Sequence, residues 1–428
     1  MKDDCEGMKA QGFWQAALLD DQEDTSRRST FSYRLDQVIR GVLCVYMCAL
    51  PFPRLLVVDR NGFILLVALM AIWCGVNRRF FFCRTPVYLP LAAFVLWVGI
   101  SVPFSASPAY SFGEFAKLLQ QSLVFYWVVF FFQASRHTFR ILVLFLVVLI
   151  VSALYGIWQF EISAIRKYYL IESFMGSEVA LTTFIVMTVP LAVAVAVYAR
   201  EPWLRRLGAS TVSVAVVCQL LTFSRAGLLA LFVEAIAIVA LVRARLVAAL
   251  AVGVFAIILL SVGALLYVGD QSQLPFIPVK SKLTTYNLVS RFKAWEFGIQ
   301  KVREFPLFGM GYGKNMFQQV AQANIRNDIE IPMAGGTHNS LLDITVGAGV
   351  PAGLAYLWLM WTIGRTGLAQ FYAAQEPVGK IWSLSIFLLV IGLFTRNSFD
   401  HMWVGSLAVI FWVMVGMAVR PMSSRGNP

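Results

Sequence analysis

Apolar runs of bilayer length recur along this chain and dictate what it can fold into. They fall at roughly 38–53, 61–76, 86–103, 115–134, 139–160, 176–199, 207–223, 226–242, 246–268, 341–364, 381–395 and 401–419. About 20 apolar residues cross a hydrocarbon core as a helix. Lipid offers backbone groups no water, so each run must satisfy its own N–H and C=O groups by coiling. Composition agrees: 59% of the 428 residues are hydrophobic and 14% charged, where a soluble domain has about 45–50% and about 25%. That excludes a soluble enzyme, a disordered chain and a small disulfide scaffold. The expected fold is an all-α polytopic membrane protein with about 12 transmembrane helices. Its expected parts are a cytoplasmic tail over 1–37, spans one to nine over 38–268, a long outer loop over 269–340, spans ten to twelve over 341–419, and a cytoplasmic tail over 420–428.

The net charge of +12 matters less than where it sits. With an even number of spans and the N-terminus inside, the inner loops and the last tail hold fourteen Lys and Arg residues. The short outer loops hold six: Arg54, Arg60, Arg166, Lys167, Arg225 and Arg396. This bias follows the positive-inside rule, so most of the charge orients helices and gives no argument for nucleic acid. The first 37 residues are acidic and lack an apolar targeting core. None of the six cysteines has zinc-ligand spacing in a polar segment.

The outer loop at 269–340 carries its own helical pattern. Leu288, Phe292, Trp295, Ile299 and Val302 recur at steps of three and four, one stripe of a helix. Lys293, Lys301 and Arg303 lie opposite, and Pro306 closes the segment. An apolar stripe with basic flanks beside a bilayer predicts a helix lying in the headgroup plane. A shorter helix is expected from Asn315 to Asn324, with Phe317, Val320 and Ala321 inward.

Groups able to do chemistry are few. The chain has three histidines: His137 in an inner loop, and His338 and His401 at outer helix ends. His338 stands in Thr337-His338-Asn339-Ser340, where the loop enters the tenth span. Thr337 or Asn339 is placed to cap that helix. The positive end of the helix dipole then faces the ring and suits a neutral imidazole acting as a base. Position alone favours a histidine that merely ends a helix. Asp343 follows one turn into the span, where an ionisable group is a functional candidate by default. Arg225, Arg291 and Arg396 are outer cations that run against the insertion bias. One such Arg alone reads as snorkelling or as pairing with Asp400. Three near one histidine favour an anion site, because arginine binds phosphate bidentately. Glu114 and Lys117 share a helix face, and Glu234 within the eighth span is expected to meet a polar partner.

Pro306-Leu307-Phe308-Gly309-Met310-Gly311-Tyr312-Gly313 lacks the Gly-Lys-Ser/Thr ending of a phosphate loop. It reads as a turn that lets backbone approach a ligand or the histidine helix. The glycines at 347 and 349 read as sites of close helix packing. No Asp-x-Asp and no Gly-x-Ser-x-Gly occurs.

These pieces in this order resemble the O-antigen ligase and polymerase superfamily. The matching residues are Ser224-Arg225-Ala226-Gly227, Arg291 with Trp295, Phe305-Pro306-Leu307-Phe308-Gly309-Met310-Gly311, His338-Asn339-Ser340-Leu341-Leu342-Asp343, and Arg396-Asn397. They cover roughly 210–400; the first 200 residues match only as apolar helices. Within the superfamily the chain resembles the ligases best. The resemblance implies a GT-C-like membrane glycosyltransferase of the Gram-negative inner membrane, with a periplasmic active site and both termini cytoplasmic. It would move a finished O-antigen from undecaprenyl diphosphate to lipid A–core with inversion, among membrane lipid and with no cofactor, metal or nucleic acid. It further implies His338 as catalytic residue, a donor diphosphate held by Arg225, Arg291 and Arg396, and support from Asn339, Asp343, Asp400 and Trp295. The alternatives are a polymerase of the same superfamily and, from another class, a lipid-linked oligosaccharide transporter.

Overall fold

The computed structural model describes residues 30–52, 55–132, 135–165, 171–242, 280–319, 336–400 and 405–419. Among these residues every regular element is helical. In chain order they are α1 (Thr30–Ala49), α2 (Leu56–Asn77), α3 (Tyr88–Ser101), α4 (Pro108–Phe131), α5 (Ser135–Ile165), α6 (Glu178–Tyr198), α7 (Pro202–Leu221), α8 (Arg225–Val242), α9 (Lys280–Glu304), α10 (Ser340–Ala348), α11 (Val350–Ala373), α12 (Pro377–Asn397) and α13 (Gly405–Ala418). Among the described residues six helices are long and apolar enough to cross a membrane: Asp59–Asn77 within α2, Thr138–Ile162 within α5, and the whole of α6, α7, α8 and α12. The chain is therefore a polytopic helical membrane protein. The helices α3 and α13 are apolar but shorter. The expected ninth span at 246–268, His401, and most of the two tails lie outside the described residues.

The core forms around α6, the most buried of the six. It packs along α12 and α7, while α12 also packs on α8 and α11, and α4 on α13. Lipid tails are as apolar as Leu, so small residues set how closely such helices approach. At Gly208 an added Cβ would stand 2.8 Å from the Ala192 carbonyl oxygen, which brings the α6 and α7 backbones together. The turn at Thr222-Phe223-Ser224 separates α7 from α8 where the sequence predicts a break, with Phe223 at φ +52°.

Two readings are corrected. The tenth span, expected as one helix over 341–364, is two helices that break at Gly349, φ +86°. A Cβ at Gly349 would collide with the Leu307 carbonyl oxygen. Only glycine fits both the left-handed backbone and that approach. Gly349 thus admits a loop, where the sequence suggested helix-on-helix packing. Glu234 also departs from expectation. It packs against Gly392 of α12, and neither carboxyl oxygen has a hydrogen-bond partner.

Contacts sort the helix ends into two groups. Arg200, after α6, pairs with Glu376, before α12, at 3.6 Å. At the opposite end Gly227, early in α8, touches Thr182 near the start of α6 and Gln219 near the end of α7. The Glu178 charge, first residue of α6, acts on Arg396 near the end of α12. The starts of α6 and α8 and the end of α12 therefore share one end of the bundle.

Candidate functional site

At that end α10 begins. Asn339 caps it: its side-chain oxygen accepts from the Leu342 N–H at 3.0 Å, satisfying a donor that the first turn leaves open. The Asn339 amide also donates to the Ser398 carbonyl at 3.3 Å. This ties α10 to the loop after α12. Ser340 reaches the Asp400 carbonyl at 3.4 Å.

Asp400 links the two segments chemically. One carboxylate oxygen stands 3.6 Å from His338 Nδ1 and the other 3.2 Å from the Arg396 guanidinium. The first separation is an ion-pair distance, longer than a hydrogen bond. Arg396 is 2% exposed, and a buried guanidinium needs a counter-charge, which Asp400 supplies. Arg291 and Glu178 also act electrostatically on Arg396. Arg396 thus lies behind Asp400, whereas the His338 side chain is 39% exposed.

His338 adopts φ +54°. A left-handed backbone at a residue with a side chain costs about 1–2 kcal/mol, so neighbouring bonds must hold it. Asp343 Oδ1 accepts from the Thr337 N–H at 2.7 Å and from the Thr337 hydroxyl at 2.8 Å. The helix α9 crosses here, with Gly298 against Thr337 and Leu342.

The helix α9 forms where the apolar stripe predicts it, ending at Glu304 ahead of Pro306. Its buried line runs through Ala294 and Gly298. Trp295 and Val302 are half-buried, while Phe292 and Ile299 are 57% and 48% exposed. The predicted stripe is therefore split between the protein and its surroundings. Lys301, read as a basic flank, pairs with Glu304 at 2.7 Å and lies 5.3 Å over the Phe297 ring. The expected second helix is a helical turn at 316–319 with Phe317 buried; its continuation lies outside the described residues.

The glycine-rich segment takes the second of its two readings and docks on the histidine helix. Met310 N–H donates to the Val346 carbonyl and Gly311 N–H to the Gly347 carbonyl, both at 2.8 Å. Val350 N–H returns to the Pro306 carbonyl at 2.8 Å. Burial first, then the Glu114 carboxylate, pushes the Tyr312 phenol upward, so this segment stays uncharged near neutral pH. The Glu114–Lys117 pair forms at 2.6 Å. Among the described residues no group of three or more His, Cys, Asp or Glu side chains is placed to hold a metal ion.

A family model described as O-antigen ligase (Wzy_C) matches residues 211–357. Residues 211–357, about a third of the chain, are thus similar to the O-antigen ligase family. This agrees with the superfamily that the sequence resembles. The matched segment runs from within α7 to within α11 and holds Arg225, Arg291, Trp295, His338, Asn339 and Asp343; Arg396 and Asp400 lie beyond it. No curated protein matches the chain.

The structure brings His338, Asn339, Asp343, Arg396 and Asp400 together and sets Arg291 within electrostatic range of Arg396. Arg225 is exposed at the start of α8, at the same end. Trp295 lies on α9 with its indole N–H buried and unpartnered. Sequence reasoning missed Glu178. Its signal is an acidic residue one position after a Ser cap, since Ser177 accepts from the Ala180 N–H at 3.1 Å.

Proposed function

We propose that this protein is the ligase of its superfamily, joining a completed O-antigen to lipid A–core at the periplasmic face of a Gram-negative inner membrane. The observation that carries the reading is an exposed histidine backed by Asp400 and Arg396, at the bundle end that also holds Arg225. The proposal includes about 12 spans in a GT-C-like arrangement with both termini cytoplasmic.

The donor diphosphate lies against Arg225 and Arg291, with Arg396 supporting the site by holding Asp400 in place beside His338. Charge develops on the diphosphate as the anomeric bond breaks. Fixed cations stabilise that charge, often the largest catalytic term. Asp400 faces His338 Nδ1, which leaves Nε2 to take the proton. A core-sugar hydroxyl oxygen attacks the anomeric carbon, its proton passes to Nε2, and the C–O electron pair leaves with undecaprenyl diphosphate. One displacement inverts the anomeric centre, and no step calls for a metal. Base assistance contributes about 10²–10⁴-fold.

The test is His338→Ala, assayed with purified protein in detergent. Transfer should fall by about that factor while the protein stays in the membrane; full transfer would remove the base role. A deletion strain separates the superfamily's two activities. Loss of all long-chain lipopolysaccharide with donor accumulation supports the ligase, and single-unit capping would mean a polymerase. Joining of donor to acceptor in detergent, with no compartments present, excludes a transporter.

A further inference from the structure

The turn before α10 holds a device that the proposed chemistry does not by itself require. His338 sits in the left-handed region, φ +54°, which side-chain-bearing residues leave when free to do so. Both neighbours are anchored. On one side Asn339 is fixed by Leu342 and Ser398. On the other, one atom, Asp343 Oδ1, takes the Thr337 N–H at 2.7 Å and the Thr337 hydroxyl at 2.8 Å. Two hydrogen bonds from one residue thus converge on a single side-chain oxygen. Thr337 is fully buried. Gly336 leaves room for the carboxylate, since a Cβ there would stand 3.2 Å from Oδ1.

We infer that Asp343 is a positioning residue: through Thr337 it clamps the turn that keeps His338 left-handed, with its ring beside Asp400. Asp343 does not touch the reacting atoms. It sets where the base stands. The inference rests on the reading of His338 as the base, and it adds a carboxylate–threonine clamp to that site. The clamp makes two demands on chemistry. Residue 343 must present an oxygen acceptor, and residue 337 must present a hydroxyl on a side chain small enough to be buried.

The experiment uses the full-length protein in detergent and two readouts. One is transfer, resolved into kcat and donor KM. The other is the rate at which diethyl pyrocarbonate modifies His338, followed by mass spectrometry against His137 in the same sample. Asp343→Ala should lower kcat by about 10²-fold, the cost of a 1 Å misplacement of a reacting group, with donor KM unchanged. The His338 modification rate should rise severalfold as the ring leaves Asp400, with His137 unchanged. Asp343→Asn keeps an oxygen acceptor and should retain most of kcat. Thr337→Val should lose activity and Thr337→Ser should restore it, a pair that keeps the test decisive should Asp343→Ala fail to fold. Wild-type kcat in Asp343→Ala or Thr337→Val overturns the clamp. So does a fall in kcat with an unchanged His338 modification rate. If His338→Ala transfers normally, the base reading fails alone, because the modification rate still reports on the clamp.

Discussion

Gly298→Ala tests whether the helix α9 governs the histidine turn. The added Cβ would stand 2.8 Å from Thr337 Cγ2 and 3.0 Å from Leu342 Cδ2. Carbon pairs rest at about 3.5–4.0 Å, so the overlap is roughly 1 Å. Neither neighbour can yield. Thr337 is fully buried and bound twice by Asp343, and Leu342 is capped through its N–H and packs against the cluster of Met310, Met316, Phe317 and Val346. Relief comes from α9 moving outward by about the overlap, and Arg291, two turns earlier on the same face, moves with it. Alanine gains about 1 kcal/mol of helix propensity over glycine, against about 1–3 kcal/mol for overpacking. Stability thus changes by about 0–2 kcal/mol, too little to prevent insertion. A displacement of about 1 Å at a reacting site costs about 10²-fold in rate. Transfer from a polyprenyl-diphosphate donor to purified lipid A–core should fall by that order while thermal stability is nearly unchanged. Gly113→Ala is the control, because nothing stands within 4 Å of that position; it should transfer at the wild-type rate. Wild-type transfer by Gly298→Ala, or a loss matched by unfolding, refutes the coupling.

Arg225→Lys keeps the charge at the start of α8 and loses the bidentate fork; donor-saturated transfer should drop severalfold, and an unchanged rate would argue against phosphate contact there. Gly349→Ala forces a side chain into a left-handed backbone against Leu307 and should cost about 3 kcal/mol or more, read as lost protein in the membrane fraction; wild-type accumulation would contradict the packing at the break. Charge reversal at Lys293 and Arg303 should raise the KM for the anionic acceptor without changing donor KM, and unchanged acceptor kinetics would count against α9 as a headgroup-facing helix.

Six of the expected spans were legible among the described residues, because apolar length alone forces helices in lipid. The α7–α8 break was legible because Thr222 to Arg225 interrupts an apolar run with polar groups. The break at Gly349 was harder to see, since Val346 to Pro351 is apolar throughout and leaves hydropathy undisturbed. Its signal was conformational: a glycine followed two residues later by Pro351 is a helix stop and start in sequence. Within the site, local relations were legible. Asn339 as a cap follows from helix-end geometry, and Arg396 with Asp400 from their closeness in sequence, four residues apart across the end of α12. The meeting of His338 with Asp400 was not, because it depends on how α10 and α12 dock. Glu178 belongs to the same class: only the packing of α6 on α12 brings its charge to Arg396. Glu234 misled for a related reason, since the facing position is Gly392, which has no side chain to offer.

The break at Gly349 also changes what the long loop is for. At nine residues, α10 rises about 13 Å and cannot cross a core of about 30 Å. His338 therefore stands at the start of a short half-helix whose far end leaves carbonyls that need partners. A neighbouring segment of the protein can satisfy them. The segment from Pro306 to Gly311 does so, taking up the Val346 and Gly347 carbonyls and the Val350 N–H. The long loop is thus part of the packed bundle at this point, and its glycines serve α10. One loop holds the half-helix at its C-terminal end through 306–311 and presses α9 on its N-terminal turn through Gly298. A perturbation of α9 then has a direct mechanical route to His338, and a kinetic effect of Gly298→Ala needs no contact between α9 and the reacting atoms.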